Sequence, residues 1–387
     1  MALINKLSAI AEGFRTSRGT TDKYTLEQMA ALAAEPIGGG GGEAELPEEA
    51  LNITGNIAYK FYSNSWNWFM EMCSDKIRTT NLTNLTSAFA NNNSTSIPFT
   101  LNVNKPVLTD VFKGSALKIS PKIRGTLDIG TSLKLGGMLE TCYYLNDVED
   151  LFEASMLEDF KNIKVTSSST APYPVTFNQC YSLRSVPSWW YKFKLNESST
   201  VYPRTSNGLY YYLFNSCASL DVANNIPVWS CTGAQTSNMF SSTFSGGRLK
   251  SVTFETNNGV PIETKWKAQT ISLTSCGFTS VKTYITNYNS GITADKEVKD
   301  DATYQALKND PDWFATKAEY SRYNHDSAVE TINSLPDTSA YLASAGGTNT
   351  ITFKGTAGSN TDGGAINTLT AEEIAIAAAK GWTVTLS

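Results

Sequence analysis

The sequence contains the stretch FNQCYSL at residues 177–183, which leads to Val186-Pro187, and repeats it as FNSCASL at residues 214–220. The shared phrase is an aromatic residue, small or polar residues, a leucine, and then an aliphatic residue that proline sometimes follows. A last copy opens with LTSC at residues 273–276, and looser copies begin at Phe89, Phe112, Met138, Phe152 and Phe244. Self-similarity at intervals of about 20 to 40 residues predicts a solenoid, in which each unit buries its apolar face against its neighbours.

The chemistry of the phrase agrees with stacked units. We expect the aromatic residue and the leucine to point inward, and the aliphatic run to form a short strand that stacks in parallel on the next unit. The position three residues after the aromatic must be small where units crowd together, and Cys180, Cys217 and Cys276 suit such a position as compact hydrophobic side chains. Residues 251–254 (SVTF) and 282–285 (KTYI) have the β-branched and aromatic content of strands. The alternative is an all-β sandwich in which the phenylalanines recur by coincidence.

The phrase resembles the BspA-like leucine-rich repeat family, whose units carry an aromatic residue, a Cys or Ser, and a Leu before a short strand. Residues 327–336 (SAVETINSLP) look like the helix that follows the repeats in many such proteins. Residues 369–384 (LTAEEIAIAAAKGWTV) look like their terminal cap. The resemblance covers about residues 87–387 and implies a β-rich α+β fold, namely a leucine-rich-repeat-like solenoid with short parallel strands and a small α/β C-terminal cap.

The N-terminal residues predict a helical hairpin. Apolar side chains recur at helical spacing along one face of the first helix, and they are Leu3, Ile4, Leu7, Ile10 and Phe14. A second helix begins with a capping box at Thr25 and Gln28 and ends near Glu35, since the residue before a proline disfavours the α region. Five consecutive glycines at residues 38–42 then predict a flexible tether.

This N-terminal segment is similar to one found at the start of many bacteriophage tail, baseplate and fibre proteins. The matching residues are Ile10-Ala11, Arg15, Gly19, Thr21-Asp22-Lys23 and Thr25-Leu26-Glu27-Gln28-Met29. The resemblance implies a role in attachment or assembly, with the apolar stripe Leu3, Ile4, Leu7, Ile10 and Phe14 as the candidate virion-attachment residues. The alternative is an amphipathic hairpin that caps the domain.

Together these patterns predict four parts of the chain. They are a helical attachment and assembly segment at residues 1–36, a glycine-rich linker at 37–50, a solenoid with its N-terminal cap at 51–290, and a C-terminal capping module at 291–387. Within the last part we expect a helix with Asp326 or Ser327 as its N-cap. We also expect a strand pair at residues 349–354 and 382–386, and between these strands a helix that Gly381 ends.

Composition narrows the classes of function. The 42.1 kDa chain has a net charge of -5 and 17% charged residues. That mild acidity argues against a nucleic-acid surface, which needs clustered Lys and Arg. No stretch approaches the eighteen or so apolar residues of a membrane span, and the first residues do not form a secretory signal peptide.

Few residues could carry out catalysis or bind a metal. Six cysteines without a C-x-x-C pair, and a single histidine at position 325, argue against a zinc site, and we expect mostly buried thiols. One histidine also rules out most Ser-His-Asp and Cys-His arrangements unless His325 itself serves. Carboxylate pairs at residues 147–150 and Glu158-Asp159 could supply a glycosidase but look like turns between units. The sequence therefore predicts no enzyme, no cofactor and no metal.

Two aromatic clusters are candidate contact sites. Residues 189–191 (WWY) and 210–212 (YYY) could stack on sugar rings or anchor a protein interface. If each cluster were a strand, alternation would leave at least one member exposed, and we select Trp190 and Tyr211 as candidate receptor contacts. The alternative is that these side chains are core residues of adjacent units.

These observations predict a non-enzymatic bacteriophage virion protein, made in the host cytoplasm, that displays a repeat domain for host-surface adhesion. Its expected partners are other virion proteins at the N-terminus, a host surface glycan or protein, and copies of itself, with a trimer favoured. One alternative is a bacterial cell-surface leucine-rich-repeat adhesin that binds host proteins. Another is a carbohydrate-active enzyme carried by a virion.

Overall fold

A computed structural model gives the fold of the chain. It describes residues 52–63, 76–127, 132–133, 136–153, 156, 164–165, 177–192, 212–217, 219–226, 240, 243–245, 249–255, 268–274, 276, 282–287, 302, 306, 313–319, 323–353 and 369–386. The predicted N-terminal hairpin, its candidate attachment residues and the glycine tether lie outside these ranges, as does Tyr211.

The fold is a mixed α/β arrangement of short strands with few helices. The strands are β1 Asn52–Asn56, β2 Arg78–Asn84, β3 Thr100–Val107, β4 Lys122–Thr126, β5 Ser132–Leu133, β6 Lys164–Val165, β7 Val222–Ile226, β8 Ser251–Phe254, β9 Thr270–Leu273, β10 Lys282–Asn287, β11 Trp313–Glu319, β12 Asn349–Phe353 and β13 Trp382–Leu386. The α-helices are α1 His325–Ser334, α2 Ser339–Ala345 and α3 Ala371–Ala379. Within the described ranges, 3₁₀ helices cover Glu149–Leu151 and Ser188–Lys192.

Most of the strands pair in parallel with their neighbours in the chain. The first sheet has the order β1-β2-β3-β4, and all three of its pairings are parallel. The pairs β5-β6 and β7-β8 are also parallel. Because parallel strands run in the same direction, the chain must return to the same end of the sheet after each strand. This confirms the short parallel strands expected from the sequence.

Two further sheets combine strands from both sides of the boundary predicted between residues 290 and 291. β9 pairs in parallel with β12, which also pairs with β13. β10 pairs in an antiparallel arrangement with β11. The strand pair predicted between residues 349–354 and 382–386 is confirmed as β12 and β13.

Between the strands, consecutive segments of the chain make similar turns, which stack on one another. We call these turns the turn row and define them by the residue at their centre, namely Phe61, Phe89, Phe112, Leu139, Phe177, Phe214 and Phe244. The N–H of a central residue donates to the residue preceding the next central residue, as Phe89 does to Val111 at 2.9 Å and Phe214 does to Thr243 at 2.9 Å. The repeated backbone bond explains why the phrase recurs in the sequence.

The central side chains form the core of the turn row. The rings of Phe61 and Phe89 stack with their centroids 4.9 Å apart, and those of Phe177 and Phe214 stack at 6.0 Å. All four rings are buried, with at most 2% of their surface exposed. The inward orientation predicted for the aromatic residues is therefore confirmed at these positions.

Two predicted copies of the phrase have a different place in the fold. The N–H of Phe112 donates to the carbonyl of Met138 at 3.2 Å, so Leu139 rather than Met138 is the central residue of its turn. Phe152 forms a parallel bridge with Ile123 and therefore belongs with the strands rather than with the turns.

Left-handed residues lie two positions before the centre of a turn and two positions after it, wherever these positions are among the described residues. The earlier positions are Tyr59, Ser87, Asp110, Gly137 and Tyr212, and the later ones are Ser63, Asn91, Gly114, Thr141, Gln179 and Ser216. Most are not glycine, although a positive φ is costly for other residues. At Gly137 a Cβ would lie 1.9 Å from Asp110 Oδ1, so any other residue there would need both a left-handed backbone and a shift of the Asp110 side chain.

At four of the turns an amide or thiol side chain three residues after the centre connects the turn to the preceding one, and these residues are Asn92, Cys142, Cys180 and Cys217. Cys180 donates from Sγ to the carbonyl of Leu139 at 3.0 Å, and Cys217 donates to Phe177 at 2.9 Å. Cys142 and Cys276 make the equivalent contacts, and all four are free, buried thiols. The prediction of buried thiols is confirmed for these four, whereas Cys73 and Cys231 lie outside the described ranges.

Helix α1 covers the outer edge of β8. Tyr323 Oη accepts a hydrogen bond from the N–H of Val252, and Thr331 Oγ1 donates to the carbonyl of the same residue. Ser334 Oγ accepts from the N–H of Phe254 at 3.0 Å. Side chains thus replace the strand that would otherwise pair with β8.

The ends of the helices agree with the predictions in part. The N-cap of α1 is Asn324, whose Oδ1 accepts from the N–H of Asp326 at 2.8 Å, so the prediction of Asp326 or Ser327 as N-cap is wrong. Asn324 is the better cap because its side chain reaches the second N–H of the helix without becoming helical itself. Helix α3 begins with a capping box at Thr370 and Glu373 and stops before Gly381, whose φ is +84°, as expected.

Candidate functional site

The candidate site is a groove between β2 and β4 on the first sheet. β2 pairs with β3 only at Leu82 and Asn84, so the first residues of β2 make no ladder pair with β3. β4 pairs with β3 from its first residue, Lys122. The sheet is therefore open at the start of β2, and a cavity of about 740 Å³ lies there.

Side-chain hydrogen bonds take the place of the missing backbone pairs. The Thr79 hydroxyl donates to the carbonyl of Thr100 at 2.8 Å and accepts from the N–H of Asn102 at 2.6 Å. The Asn102 side-chain amide donates to the carbonyl of Thr79 at 3.1 Å. Thr79 is buried, so these bonds fix the separation of the two strands in a protected environment.

The floor of the groove is apolar and its rim is polar. Ile77 and Phe99 form the floor, with 2% and 7% of their surface exposed. Exposed Pro98 extends this apolar surface towards solvent. Arg78, Asn102, Arg124 and Glu153 carry the charges and amide of the rim. Polar groups provide more of the groove's surface than apolar groups do, and its volume lies within the range of about 300 to 1,000 Å³ that is usual for ligand sites.

Two arginines give the groove an excess of positive charge. Arg124 Nη1 donates to the carbonyl of Ile123 at 2.8 Å and lies 3.5 Å from the carbonyl of Asp150. Arg78 has the same local arrangement, with Nη1 donating to the carbonyl of Ile77 at 3.1 Å. In each case the backbone carbonyl fixes part of the side chain, and at Arg124 further guanidinium donors are left for other groups. Because the whole chain has a net charge of -5, this positive excess is local.

Gly125 allows the close approach of backbones beside Arg124. Its φ is +124°, and a Cβ at this position would lie 2.0 Å from the carbonyl oxygen of Val103. No other residue fits here without moving β3 or β4. The glycine therefore fixes the position of Arg124 relative to Asn102 on the neighbouring strand.

The exposed face of the sheet next to the groove carries rows of amide and hydroxyl groups. Thr80 Oγ1 donates to Asn52 Oδ1 at 3.4 Å across β2 and β1. Thr126 Oγ1 donates to Asn104 Oδ1 at 3.2 Å across β4 and β3. Such a face can donate hydrogen bonds to hydroxyl groups of a ligand and accept them from it.

Tyrosines provide exposed aromatic surface on the turn row. Tyr59 and Tyr62 are 61% and 42% exposed, and their ring centroids are 6.2 Å apart. Tyr143 and Tyr181, which are partly exposed, stack with centroids 4.9 Å apart and an interplanar angle of 12°. The sequence analysis did not select these residues, because they are scattered over consecutive units rather than adjacent in the chain.

The structure corrects the expectation for Trp190. Trp189 and Trp190 are both completely buried, and only Tyr191 of this cluster is partly exposed. The residues lie in the 3₁₀ helix Ser188–Lys192 rather than in a strand, so neighbouring side chains do not alternate between two faces. Trp190 packs against both Phe177 and Phe214 and is a core residue rather than a receptor contact. The other candidate, Tyr211, lies outside the described ranges.

A ladder of polar side chains joins four consecutive turns of the turn row. Lys113 Nζ lies 2.8 Å from Glu140 Oε2, and the Asn178 amide donates to Glu140 Oε1 at 3.0 Å. The Asn215 amide donates to Asn178 Oδ1 at 2.8 Å. These four residues each follow the central residue of their turn, and we call them the polar ladder. Its contacts give it a structural role.

The carboxylates that could have suggested a glycosidase have structural partners. Glu149 accepts from the N–H of Ser188 at 2.8 Å and also contacts its hydroxyl. Asp147 Oδ1 accepts from the N–H of Glu149 at 2.8 Å. These contacts connect the turn to the 3₁₀ helix Ser188–Lys192. Glu158 and Asp159 lie outside the described ranges.

His325 lies between two carboxylates at the start of α1. Its Nδ1 is 3.1 Å from Asp326 Oδ1 and its Nε2 is 3.3 Å from Glu373 Oε2. The hydrogen bond to Asp326, and then that to Glu373, raise the pKa of His325 above its usual value of 6.5. Among the described residues, no group of three or more His, Cys, Asp or Glu side chains is placed to hold a metal ion. In the same part of the chain, no helix has the length and apolar character needed to cross a membrane.

Sequence reasoning missed the groove, because its residues come from four separate segments and none belongs to a recognisable motif. Each of the two strands contributes one arginine, Arg78 as the first residue of β2 and Arg124 as the third residue of β4. Comparisons of the chain with protein-family models, with curated proteins and with solved structures find no significant match.

Proposed function

We propose that this protein is a bacteriophage virion component that displays a repeat domain for adhesion to the host surface. In this proposal the parallel strands and the turn row are parts of a leucine-rich-repeat-like solenoid, closed at its C-terminal end by α1 and the sheet of β9, β12 and β13. The similarity of residues 10–29 to the start of phage tail, baseplate and fibre proteins supports the virion assignment. Residues 1–36 would attach the chain to other virion proteins, and residues 37–50 would be the tether.

The observation that carries the adhesion function is the groove. It combines an apolar floor at Phe99 with a rim that includes Arg78, Asn102 and Arg124. The exposed Asn and Thr side chains of the same sheet extend this polar surface. A cavity with these properties is suited to binding, and the parallel sheet holds its residues on a rigid frame. No catalytic step is proposed for it.

The adhesion function can be tested with the labelled full chain and a mixed bacterial community. We expect the chain to bind a defined subset of cells, which can be sorted and counted by fluorescence. The double variant R78Q/R124Q should lose most of this binding, since it removes the charge of the groove rim. The control K122Q removes an exposed positive charge from the same strand, outside the groove lining, and should bind as the original chain does. Binding to no cells, or equal binding by R78Q/R124Q, would contradict the proposal.

The assembly function can be tested by measuring the mass of the protein in solution with and without residues 1–42. We expect the full chain to form a trimer or a larger oligomer, and the truncated chain to be a monomer. Symmetric attachment sites on a virion favour such an oligomer. A monomer in both cases would contradict a role of the N-terminal segment in self-assembly.

A further inference from the structure

We propose that the groove between β2 and β4 binds a carboxylate-bearing sugar, with Arg124 as the residue that binds the carboxylate. This inference rests on the proposed adhesion function and specifies the class of its ligand. The charged, polar and apolar groups of the groove lining support it.

Arg124 provides the guanidinium that would bind the carboxylate. Two backbone carbonyls, of Ile123 and Asp150, lie close to its Nη1. Among the described residues no carboxylate forms an ion pair with Arg124. The remaining donors of a guanidinium form a planar fork that matches a carboxylate with two parallel hydrogen bonds. Arg78, which lines the same groove, adds a second positive charge.

Glu153 and Asn102 provide further hydrogen-bonding groups in the groove lining. Glu153 lines the groove and is exposed, so its carboxylate can accept hydrogen bonds from hydroxyl groups. It would also repel a ligand with several negative charges, such as a polyphosphate. Asn102 presents an amide at the same rim. One acidic group together with several hydroxyl groups, as in a uronic acid, satisfies these requirements at once.

The groove lining also provides an apolar surface. The exposed ring of Pro98 offers a surface against which the C–H face of a sugar ring can pack, and Phe99, which is buried, lies behind it in the lining. A free inorganic anion would leave this surface uncovered. The floor therefore favours a carboxylate that is part of a sugar over a small anion.

The test uses two matched probes, methyl galacturonide, which has one free carboxylate, and its methyl ester, in which that carboxylate is replaced by an uncharged ester. Binding to the full chain would be measured by titration calorimetry at low and at physiological ionic strength. We expect the acid to bind at least about tenfold more tightly than the ester, as charge-assisted hydrogen bonds imply. The variant R124Q should remove this advantage, so that acid and ester bind about equally, and R124K should restore only part of it, because lysine lacks the fork.

Two controls separate a specific site from general attraction. K122Q should change binding of the acid by less than about twofold, since Lys122 is exposed and its charge is screened by salt. Thermal unfolding of R124Q should match that of K122Q, which would show that the groove variant is folded. Equal binding of acid and ester by the original chain would overturn the proposal, as would an equal loss in K122Q and R124Q.

The outcome for the ligand can be distinguished from the outcome for adhesion. If the original chain binds bacterial cells and R124Q does not, but acid and ester bind alike, the ligand class is wrong and the adhesion function stands. If the acid binds through Arg124 but no bacterial cells are bound, the ligand class stands and the adhesion function is wrong.

Discussion

The side-chain amide of Asn178 donates a hydrogen bond to the carboxylate of Glu140 at 3.0 Å and so joins two turns that are 38 residues apart in the chain. Glu140 also pairs with Lys113 of the preceding turn at 2.8 Å. One carboxylate therefore connects three consecutive turns. Because Glu140 is only partly exposed, these contacts are less screened than those of a surface ion pair.

We predict that E140Q lowers the free energy of unfolding by about 1 kcal/mol, since a neutral amide forms weaker hydrogen bonds with Asn178 and Lys113 than the carboxylate does. Urea unfolding followed by circular dichroism measures the change. E153Q, at an exposed glutamate of the groove, is the matched control and should change stability by less than about 0.5 kcal/mol. An equal effect of both substitutions would show that the polar ladder does not stabilise the turns.

We predict that the four described thiols react with a thiol reagent only after unfolding. Burial raises the pKa of Cys142 to about 12 and also raises the pKa values of Cys180, Cys217 and Cys276, so almost no thiolate exists at pH 8. The experiment uses the variant C73S/C231S, in which only these four cysteines remain. Labelling before and after adding denaturant should give about zero and four reacted thiols. Reaction in the folded protein would contradict the burial of this row.

We predict that W190A lowers the free energy of unfolding by about 3 to 5 kcal/mol, because it leaves a cavity beside the stacked rings of Phe177 and Phe214. W190F should be tolerated much better. The control is I119A, at a side chain that is 64% exposed, and it should change stability by less than about 0.5 kcal/mol. If W190A instead weakened cell binding without loss of stability, the ring would be a contact residue after all.

We predict that the pair His325 and Glu373 stabilises the C-terminal part of the chain at mildly acidic pH. The pKa of His325 is raised, so its contribution is complete below about pH 6.5 and is lost as the pH rises through the folded value. The pKa of Glu373 is lowered, first by the backbone N–H of Thr370 and also by His325. Its contribution is therefore present above about pH 4.5 and is lost at lower pH.

The measurement compares urea midpoints at pH 5.5 and at pH 8. The original chain should lose stability between these values, and H325Q should lose less because it has no titrating ring. E373Q keeps a side chain suited to the capping box and should reduce the difference partly. An unchanged pH dependence in H325Q would exclude His325 as its origin.

The recurring phrase made the parallel strands and the buried aromatic rings predictable, because a repeated apolar pattern leads to a repeated core. Met138 was assigned in place of Leu139 because both neighbours are apolar and only the backbone hydrogen bonds separate them. The left-handed conformations of Tyr59 and Gln179 give no signal in the sequence, since neither is a glycine. Trp190 was assigned to the surface because a strand was assumed where the chain forms a 3₁₀ helix.

The groove could not be predicted, for a different physical reason. It exists because β2 and β3 do not pair at Thr79, and this depends on side-chain hydrogen bonds to Thr100 and Asn102. Threonine and asparagine are common on exposed strands, so their presence does not distinguish a bond that replaces the ladder from an ordinary surface residue. Arg124 and Glu153 both line the groove, although they are distant in the sequence. The chain returns to the sheet at Phe152, which forms a bridge with Ile123, and this return places Glu153 at the groove.

The backbone bonds of the turn row have a consequence for how the sequence can change. The central residues Phe89 and Phe112 are 23 positions apart, whereas Leu139 and Phe177 are 38 apart, yet the same donor and acceptor positions connect consecutive turns in both regions. The turns therefore do not depend on the length of the chain between them. Insertions and deletions in these connections can accumulate without disturbing the stacked core. During evolution, the connecting segments could therefore diverge one by one in sequence and length while the stacked turns are retained.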